Sequence, residues 1–295
     1  MLWHGEWAAL AAAFLWAATS RMYAGWGTLF APLLLNWLKG VTALGMFVLT
    51  LAVRRESWPV VSGETWLGLA LSGILGIGIG DTAFFAALNT LGVQRTLLMD
   101  TLSPVLVTLL AWVTLGESVR PVQLLGVGLT VTGVALVVTE RPVSVREKFH
   151  FWPGLAWGLV FSLSQATGVV LSRWALSASP VTPLWSTTIR LAAGVAVLSL
   201  GVRRPVCARG WWAIRKQPTW LLSIAGTAFL STYAGIWLQQ TALKWAPAGI
   251  AQTLSSTSPL FALLLAWGWG ERVSWRAWLG VALAIAGCAW LFQGT

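Results

Sequence analysis

The sequence predicts an all-α integral membrane protein with ten transmembrane helices, arranged as two inverted five-helix repeats. Three features predict this: the scarcity of charge, a series of long apolar runs and an internal repeat. Of the 295 residues, 57% are hydrophobic and only 9% are charged, with a mean hydropathy of +0.75. An ordinary soluble domain has about 25% charged residues, so this chain has too few to cover a soluble surface.

Ten apolar runs each come close to, or exceed, the roughly 20 residues that a helix needs to cross the hydrocarbon of a bilayer. These predicted spans cover residues 5–23, 29–52, 65–89, 93–115, 121–139, 152–176, 182–202, 219–243, 247–269 and 274–293. We expect helices because they satisfy their own backbone hydrogen bonds. The period-2 alternation of a membrane barrel is missing from the sequence. Short hairpin turns are expected around Glu117 and Glu271, where each glutamate is interpreted as a structural cap.

The second half of the chain repeats the first at an offset between about 151 and 155 residues. Leu-Ser-Pro-Val at 102–105 recurs as Thr-Ser-Pro-Leu at 257–260, and Leu-Leu-Ala-Trp occurs at 109–112 and at 264–267. Gly133 likewise matches Gly287, and Lys39 matches Arg190. An odd number of spans in each half predicts that the halves are inverted, as in many secondary transporters. We therefore expect repeats at 1–140 and 152–295, joined by a linker at 141–151.

Two segments carry a family resemblance. Gly78-Ile79-Gly80-Asp81 with its downstream Asp100-Thr-Leu-Ser-Pro, and the second copy from Ala242 to Gly287, resemble an EamA-type permease of the drug/metabolite transporter superfamily. The resemblance implies a secondary active transporter for a small metabolite, an amino acid or related amphiphilic solute, with export favoured. It also implies that spans 1–4 and 6–9 surround a central cavity, while spans 5 and 10 are peripheral. Lys39 is a departure, because the family more often has Arg there.

Ionisable residues inside the spans are the first candidates for a site, because a charge in a membrane segment is costly. Lys39, Asp81, Asp100 and Arg190 are four such residues. The two cations match each other in the repeat, whereas Asp81 aligns with Ile236 and Asp100 aligns with Ser255. This asymmetry favours a role for the aspartates in binding substrate or a coupling proton. The alternative is that they only neutralise the two cations.

Polar residues in the second half extend the candidate site. Those singled out for the site are Gln239, Gln240, Gln252 and Ser255, with Ser164 and Gln165 as further cavity candidates. Hydrogen bonding between helices is an equally good interpretation of these side chains. Pro104 and Pro259 are expected to act as hinges or to shape the cavity, because proline removes a backbone hydrogen bond. The glycines of 73–80 are expected to let a neighbouring helix approach closely.

Two other function classes remain open. Gly78-Ile79-Gly80-Asp81 also resembles the G-x-G-D motif of intramembrane aspartyl proteases, which pair two aspartates at one water. Such proteases carry the second aspartate in the span before this motif, and span 2 contains Lys39 instead. A membrane protein that does not transport is the other alternative. We do not expect an enzyme, and we expect no cofactor. A metal site is not expected either, since the two histidines, His4 and His150, are peripheral.

The net charge of +10 is interpreted as membrane orientation and not as nucleic-acid binding, because the cations lie mostly between spans. The expected partners are a small-molecule substrate and the lipid bilayer, and a homodimer is compatible but not required. The expected location is the inner (cytoplasmic) membrane. Both termini should face the same side. The cation count of the loops favours the outside and the family resemblance favours the cytoplasm.

Overall fold

The computed structural model describes residues 4–26, 29–91, 96, 99–117, 120–140, 151–268 and 274–293. Within these ranges the regular structure is helical and contains no strand, so the predicted all-α class is confirmed. The principal helices are α1 (His4–Trp26), α2 (Pro32–Arg54), α3 (Gly63–Leu91), α4 (Leu102–Leu115), α5 (Pro121–Glu140), α6 (Phe151–Ala178), α7 (Pro183–Ser199), α8 (Thr219–Trp245), α9 (Ala248–Ser255 followed by Ser258–Gly268) and α10 (Trp275–Gln293).

Five helical segments are long and apolar enough to cross a membrane: Pro32–Arg54, Gly63–Leu91, Trp152–Ala178, Thr219–Trp245 and Ala248–Leu265. Three shorter apolar helices are Leu102–Leu115, Pro121–Val137 and Trp275–Leu291. Large apolar side chains also cover the outer surface, among them Leu49, Val53, Leu67, Val113, Leu222 and Ile285. A soluble protein rarely exposes apolar surface on this scale. The chain is therefore a multi-pass membrane protein.

Helix starts follow the capping signals of the sequence. The Ser62 side chain accepts a hydrogen bond from the backbone N–H of Thr65 at the start of α3. The Thr182 side chain accepts a hydrogen bond from the backbone N–H of Trp185 at the start of α7. Proline occupies the first turn of α2 and of α7, where its missing N–H costs nothing because that group has no helical partner.

Helices of one half pack mainly against helices of the other half. α1 packs against α8 and α9, while α6, its counterpart in the repeat, packs against α3 and α4. In the same way α2 packs against α7 and α8, and α7 packs against α2 and α3. Exchanging the halves therefore reproduces the packing pattern, as a pseudo-two-fold relationship requires.

α5 and α10 pair with each other through glycines. A Cβ placed on Gly133 would lie 2.5 Å from the backbone oxygen of Gly280, and one placed on Gly287 would lie 2.7 Å from the backbone oxygen of Gly126. The repeat relates Gly126 to Gly280 and Gly133 to Gly287, so each half of this contact is the counterpart of the other. Only glycine allows the two backbones to approach so closely.

Two departures from regular α-helix occur at matching places in the two halves. Residues Ile74–Gly80 of α3 and Phe229–Ala234 of α8 are π-helical, and the segments are 155 residues apart. Thr101 forms a turn before α4, and Ser256 and Thr257 form a turn inside α9. The sequence analysis predicted neither π segment. Such segments are frequent at functional sites, because a wide turn leaves backbone carbonyls free for other donors.

The polar stretch between α7 and α8 contains a further helix, Ala208–Lys216. Its buried face packs beneath the start of α2, where a Cβ on Gly210 would meet the side chains of Leu34 and Phe30. Trp212 on its other face is exposed, and the Lys216 ammonium lies 4.4 Å from the centre of that ring.

Candidate functional site

A cavity of about 180 Å³ lies between the two halves. It is lined from α1, α2, α3, the segment before α4, α6, α7, α8 and α9. Its lining residues are Trp16, Thr19, Ser20, Tyr23, Lys39, Ile77, Asp81, Phe84, Phe85, Leu88, Asp100, Phe161, Gln165, Arg190, Ser231, Thr232, Ile236, Gln239, Gln252, Ser255, Ser256 and Ser258. Neither α5 nor α10 contributes to this lining, which agrees with the expected peripheral place of the fifth and tenth spans.

An ion pair between α2 and α3 occupies one side of the cavity. The Lys39 Nζ lies 2.6 Å from Asp81 Oδ2, with side-chain exposures of 9% and 16%. The other carboxylate oxygen, Oδ1, accepts a hydrogen bond of 3.2 Å from Gln165 Nε2. The Lys39 ammonium also lies 5.2 Å from the centre of the Phe85 ring. Asp81 thus neutralises Lys39, as the alternative interpretation of the aspartates expected, while both residues still line the cavity.

Arg190 on α7 forms no such ion pair within the described part of the chain. It is 2% exposed, and among the described residues no hydrogen-bond acceptor meets its Nε or Nη1. Its place depends on the glycines of α3. A Cβ on Gly73 would lie 1.9 Å from the backbone oxygen of Arg190, and one on Gly76 would lie 3.2 Å from its Nη2. The expectation that these glycines permit close helix approach is confirmed, and the neighbouring helix is α7.

Asp100 and the turn in α9 form the remaining polar wall. Asp100 Oδ1 accepts a 3.3 Å hydrogen bond from Ser103 Oγ. Among the described residues no cation forms an ion pair with it. Across the cavity, Gln252 Oε1, Ser255 Oγ and Ser256 Oγ are buried without a hydrogen-bond partner in the described part of the chain. Polar atoms are rarely buried unpaired, so these groups keep hydrogen-bonding capacity that the described residues do not satisfy.

The two prolines follow the breaks in the helices. Pro104 lies in the first turn of α4, directly after the turn at Thr101, and Pro259 is the second residue of Ser258–Gly268. Because proline has no N–H, neither residue can bond to the carbonyl four residues earlier. Those carbonyls belong to Asp100 and Ser255, both of which line the cavity. Cavity shaping and a hinge role both stay predictions for the two prolines.

Of the predicted glutamines, Gln239 and Gln252 line the cavity and Gln240 does not. Gln240 is fully buried, and its Oε1 accepts hydrogen bonds from Ser172 Oγ and, at 2.9 Å, from Ser186 Oγ. It therefore joins α8 to α6 and α7, which is the interhelical alternative. The reason is helical geometry, since neighbouring residues on a helix point in directions about 100° apart. Gln165 lines the cavity, and Ser164 is absent from its lining.

The site residues predicted from the sequence include none from α1. Trp16, Thr19, Ser20 and Tyr23 lie on one helical face at spacings of three or four residues, and this spacing was the available signal. The Trp16 indole donates a 2.8 Å hydrogen bond to the backbone oxygen of Ser231 in the π segment of α8. The predicted site residues also omit the aromatic wall of Phe84, Phe85 and Phe161.

A charged clasp joins four elements at one end of the bundle, the end where α4, α6 and α8 finish and α9 starts. The Glu117 Oε1 accepts from Arg173 Nε at 2.6 Å, and its Oε2 accepts from the backbone N–H of Ala248 at 2.8 Å. Arg173 Nη1 donates to the carbonyls of Leu243 and Lys244 at the end of α8. Glu117 is thus a cap, as predicted, and the helix it caps is α9. Glu271 lies outside the described residues.

The bonds of Asp81 are not those of an aspartyl protease. Its oxygens bond to Lys39 and Gln165, whereas protease chemistry needs two carboxylates that share one proton.

Comparisons with known proteins agree with the fold. A solved crystal structure is similar in fold, with a TM-score of 0.73 at 18% identity over 98% of this chain and 96% of that one. A curated protein of Streptantibioticus cattleyicolor, named a probable terminal-alkyne amino-acid exporter, is 33% identical over 108 residues. The match covers 35% of this chain and spans about a third of that relative, 31% of its length. The model of the EamA-like transporter family matches residues 3–139 and again residues 152–293. The chain therefore belongs to the EamA-like transporter family, within the drug/metabolite transporter superfamily.

Proposed function

We propose that the protein is a secondary active transporter that exports a small metabolite, an amino acid or related amphiphilic solute, across the cytoplasmic membrane. In this proposal ten helices, α1 to α10, cross the bilayer as two inverted repeats, residues 1–140 and 152–295, with a linker at 141–151. Two features support it: the family match to each half, and the exchange-symmetric packing of the helices. The protein acts without enzymatic chemistry and without a cofactor, and a homodimer is not required.

The observation that carries the proposal is the charged cavity between the halves. Lys39, Asp81, Asp100 and Arg190 come from four different helical segments and meet one cavity of an otherwise apolar bundle. Charges inside a membrane protein are costly and mark pathways for solutes or ions. The aromatic rings beside them suit the apolar part of an amphiphilic solute.

Alternating access requires the cavity to open to each side in turn. About half of the cavity lining belongs to the C-terminal parts of α1 and α3 and to the N-terminal part of α6, at the end of the bundle opposite to the clasp. We therefore assign the clasp of Glu117 and Arg173 to the closed end. The other end opens when the two repeats exchange conformations, as inverted repeats can. Opening at the clasp breaks the Glu117–Arg173 ion pair and releases the N-terminus of α9.

We assign Asp100 to the coupling cation, most simply a proton. Asp81 is already neutralised by Lys39, whereas no cation among the described residues pairs with Asp100. A carboxylate without a cation partner can bind a proton in one conformation and release it in the other. The direction of export is supported by the name of the Streptantibioticus cattleyicolor relative, a probable exporter.

The test is uptake of labelled amino acids and metabolites into proteoliposomes with and without a pH gradient. We expect at least one amino acid to accumulate only with the gradient. Asp100→Asn should abolish the accumulation driven by the gradient but retain exchange of labelled for unlabelled solute, because exchange needs no net proton movement. A panel that shows no flux with folded protein would contradict transport. Accumulation that survives Asp100→Asn would remove Asp100 from coupling and leave transport intact.

A further inference from the structure

The two repeats differ in how they neutralise their buried cations. In the first repeat, Lys39 of α2 pairs with Asp81 of α3. In the second repeat, Arg190 of α7 occupies the place of Lys39, and Ile236 of α8 occupies the place of Asp81. Both Arg190 and Ile236 line the cavity. The second repeat therefore keeps the cation and lacks the carboxylate.

Asp81 does not serve both cations. Its Oδ2 binds Lys39 and its Oδ1 binds Gln165, and within the described residues no ion pair joins it to Arg190. The Nε and Nη1 of Arg190 have no hydrogen-bond partner among the described residues, although the residue is 2% exposed. A buried charge without a partner is strongly unfavourable. The Nε and Nη1 N–H groups of this guanidinium are thus unused donors for charge-assisted hydrogen bonds to an anion.

We propose that Arg190 binds the carboxylate group of the transported solute, which supplies in the second repeat the anion that Asp81 supplies in the first. This inference rests on the proposed function, because it requires that the solute occupies this cavity. It narrows the substrate class to solutes with a free carboxylate. The hydroxyl groups of Ser255 and Ser256 are further unpaired polar groups that line the same cavity.

A substitution that restores the missing acid tests the inference. Ile236→Asp places a carboxylate where the repeat relation expects one, and Ile236→Asn is its uncharged control of nearly equal size. The probes are leucine, 4-methylpentanoate, which lacks the amine, and leucinamide, which lacks the carboxylate. Binding to purified protein is measured by calorimetry, and thermal unfolding of the protein without solute is measured in parallel.

We expect leucine and 4-methylpentanoate to stabilise the wild type and leucinamide not to do so. Arg190→Gln should weaken the binding of both carboxylates by about 10- to 100-fold, the range for a lost charge-assisted hydrogen bond. Ile236→Asp should weaken carboxylate binding to a similar extent, because the new aspartate neutralises Arg190. For the same reason the Ile236→Asp variant should unfold at a higher temperature than the Ile236→Asn variant. Arg190→Lys should bind the carboxylates better than Arg190→Gln but more weakly than the wild type. Lysine retains the positive charge and lacks the planar set of guanidinium N–H donors.

Three results would overturn the inference: equal binding of leucine and leucinamide, carboxylate binding that persists in Arg190→Gln, or no binding of either carboxylate to the wild type. Ile236→Asp keeps the test decisive if Arg190→Gln does not fold. The outcome is separable from that of the proposed function. Carboxylate binding that depends on Arg190 without any flux would retain the subsite and remove transport. Flux that is unaffected by Arg190→Gln would retain transport and remove the carboxylate subsite.

Discussion

Asp81→Asn should destabilise the protein because it removes one partner of the buried ion pair. The Lys39 Nζ and Asp81 Oδ2 are 2.6 Å apart, and the side chains are 9% and 16% exposed. At an effective dielectric constant near 20, two unit charges at this distance attract by about 6 kcal/mol. Desolvation of both groups offsets part of that attraction, and loss of one partner of a buried pair typically costs about 3–5 kcal/mol. The Phe85 ring beside the ammonium favours the lower value, so we expect a loss near 3 kcal/mol.

The assay is a double-mutant cycle of the unfolding free energy, measured by titrating dodecyl sulfate into mixed micelles. Lys39→Met and Asp81→Asn should each destabilise the protein, and the double variant should recover most of the loss, because no unpaired charge remains. Arg54→Gln is the control, since Arg54 and Glu56 are 3.8 Å apart with exposures of 54% and 26%. It should cost less than about 1 kcal/mol. Additive effects of the two single variants would refute the reasoning.

Two further predictions concern packing and the clasp. Gly133→Ala should lower the unfolding free energy by about 1–3 kcal/mol relative to Gly128→Ala, because its Cβ would meet α10 at 2.5 Å whereas a Cβ on Gly128 meets nothing within 4 Å. Both changes gain the same helix propensity, so equal stabilities in the titration would contradict the α5–α10 interface. Glu117→Gln should break the ion pair with Arg173 and raise the rate at which the clasped end opens, measured as faster hydrogen exchange near Ala248. Unchanged exchange there would show that Glu117 does not hold the clasp.

The sequence predicted the helical class and most helix positions because apolar runs of span length leave few other structures. The glycines before Asp81 were also predictable, since small residues inside a span favour close helix contact. The repeat supplied the correspondence of Lys39 with Arg190. It did not show that, of these two cations, Lys39 alone has an acidic partner within the described residues, because that depends on which residues of α2 and α3 face each other.

Other parts of the site were not assigned from the sequence. The π segments of α3 and α8 change the face that each later residue presents, and no residue type marks them. The α1 residues Trp16 and Tyr23 seemed ordinary in an apolar, aromatic-rich chain. Gln239 and Gln240 were equivalent as sequence, and only the rotation of α8 separates the one that lines the cavity from the one that bonds to α6 and α7.

The most direct test of the account is whether the cavity opens to both sides of the membrane. A single cysteine at Gln239, in a chain with Cys207 and Cys288 replaced by alanine, is exposed in oriented vesicles to a membrane-impermeant maleimide from either face. We expect the maleimide to label this cysteine from each face of the membrane, and to label it more slowly from both faces when a transported solute is present. Labelling from one face only, with and without solute, would contradict alternating access through this cavity.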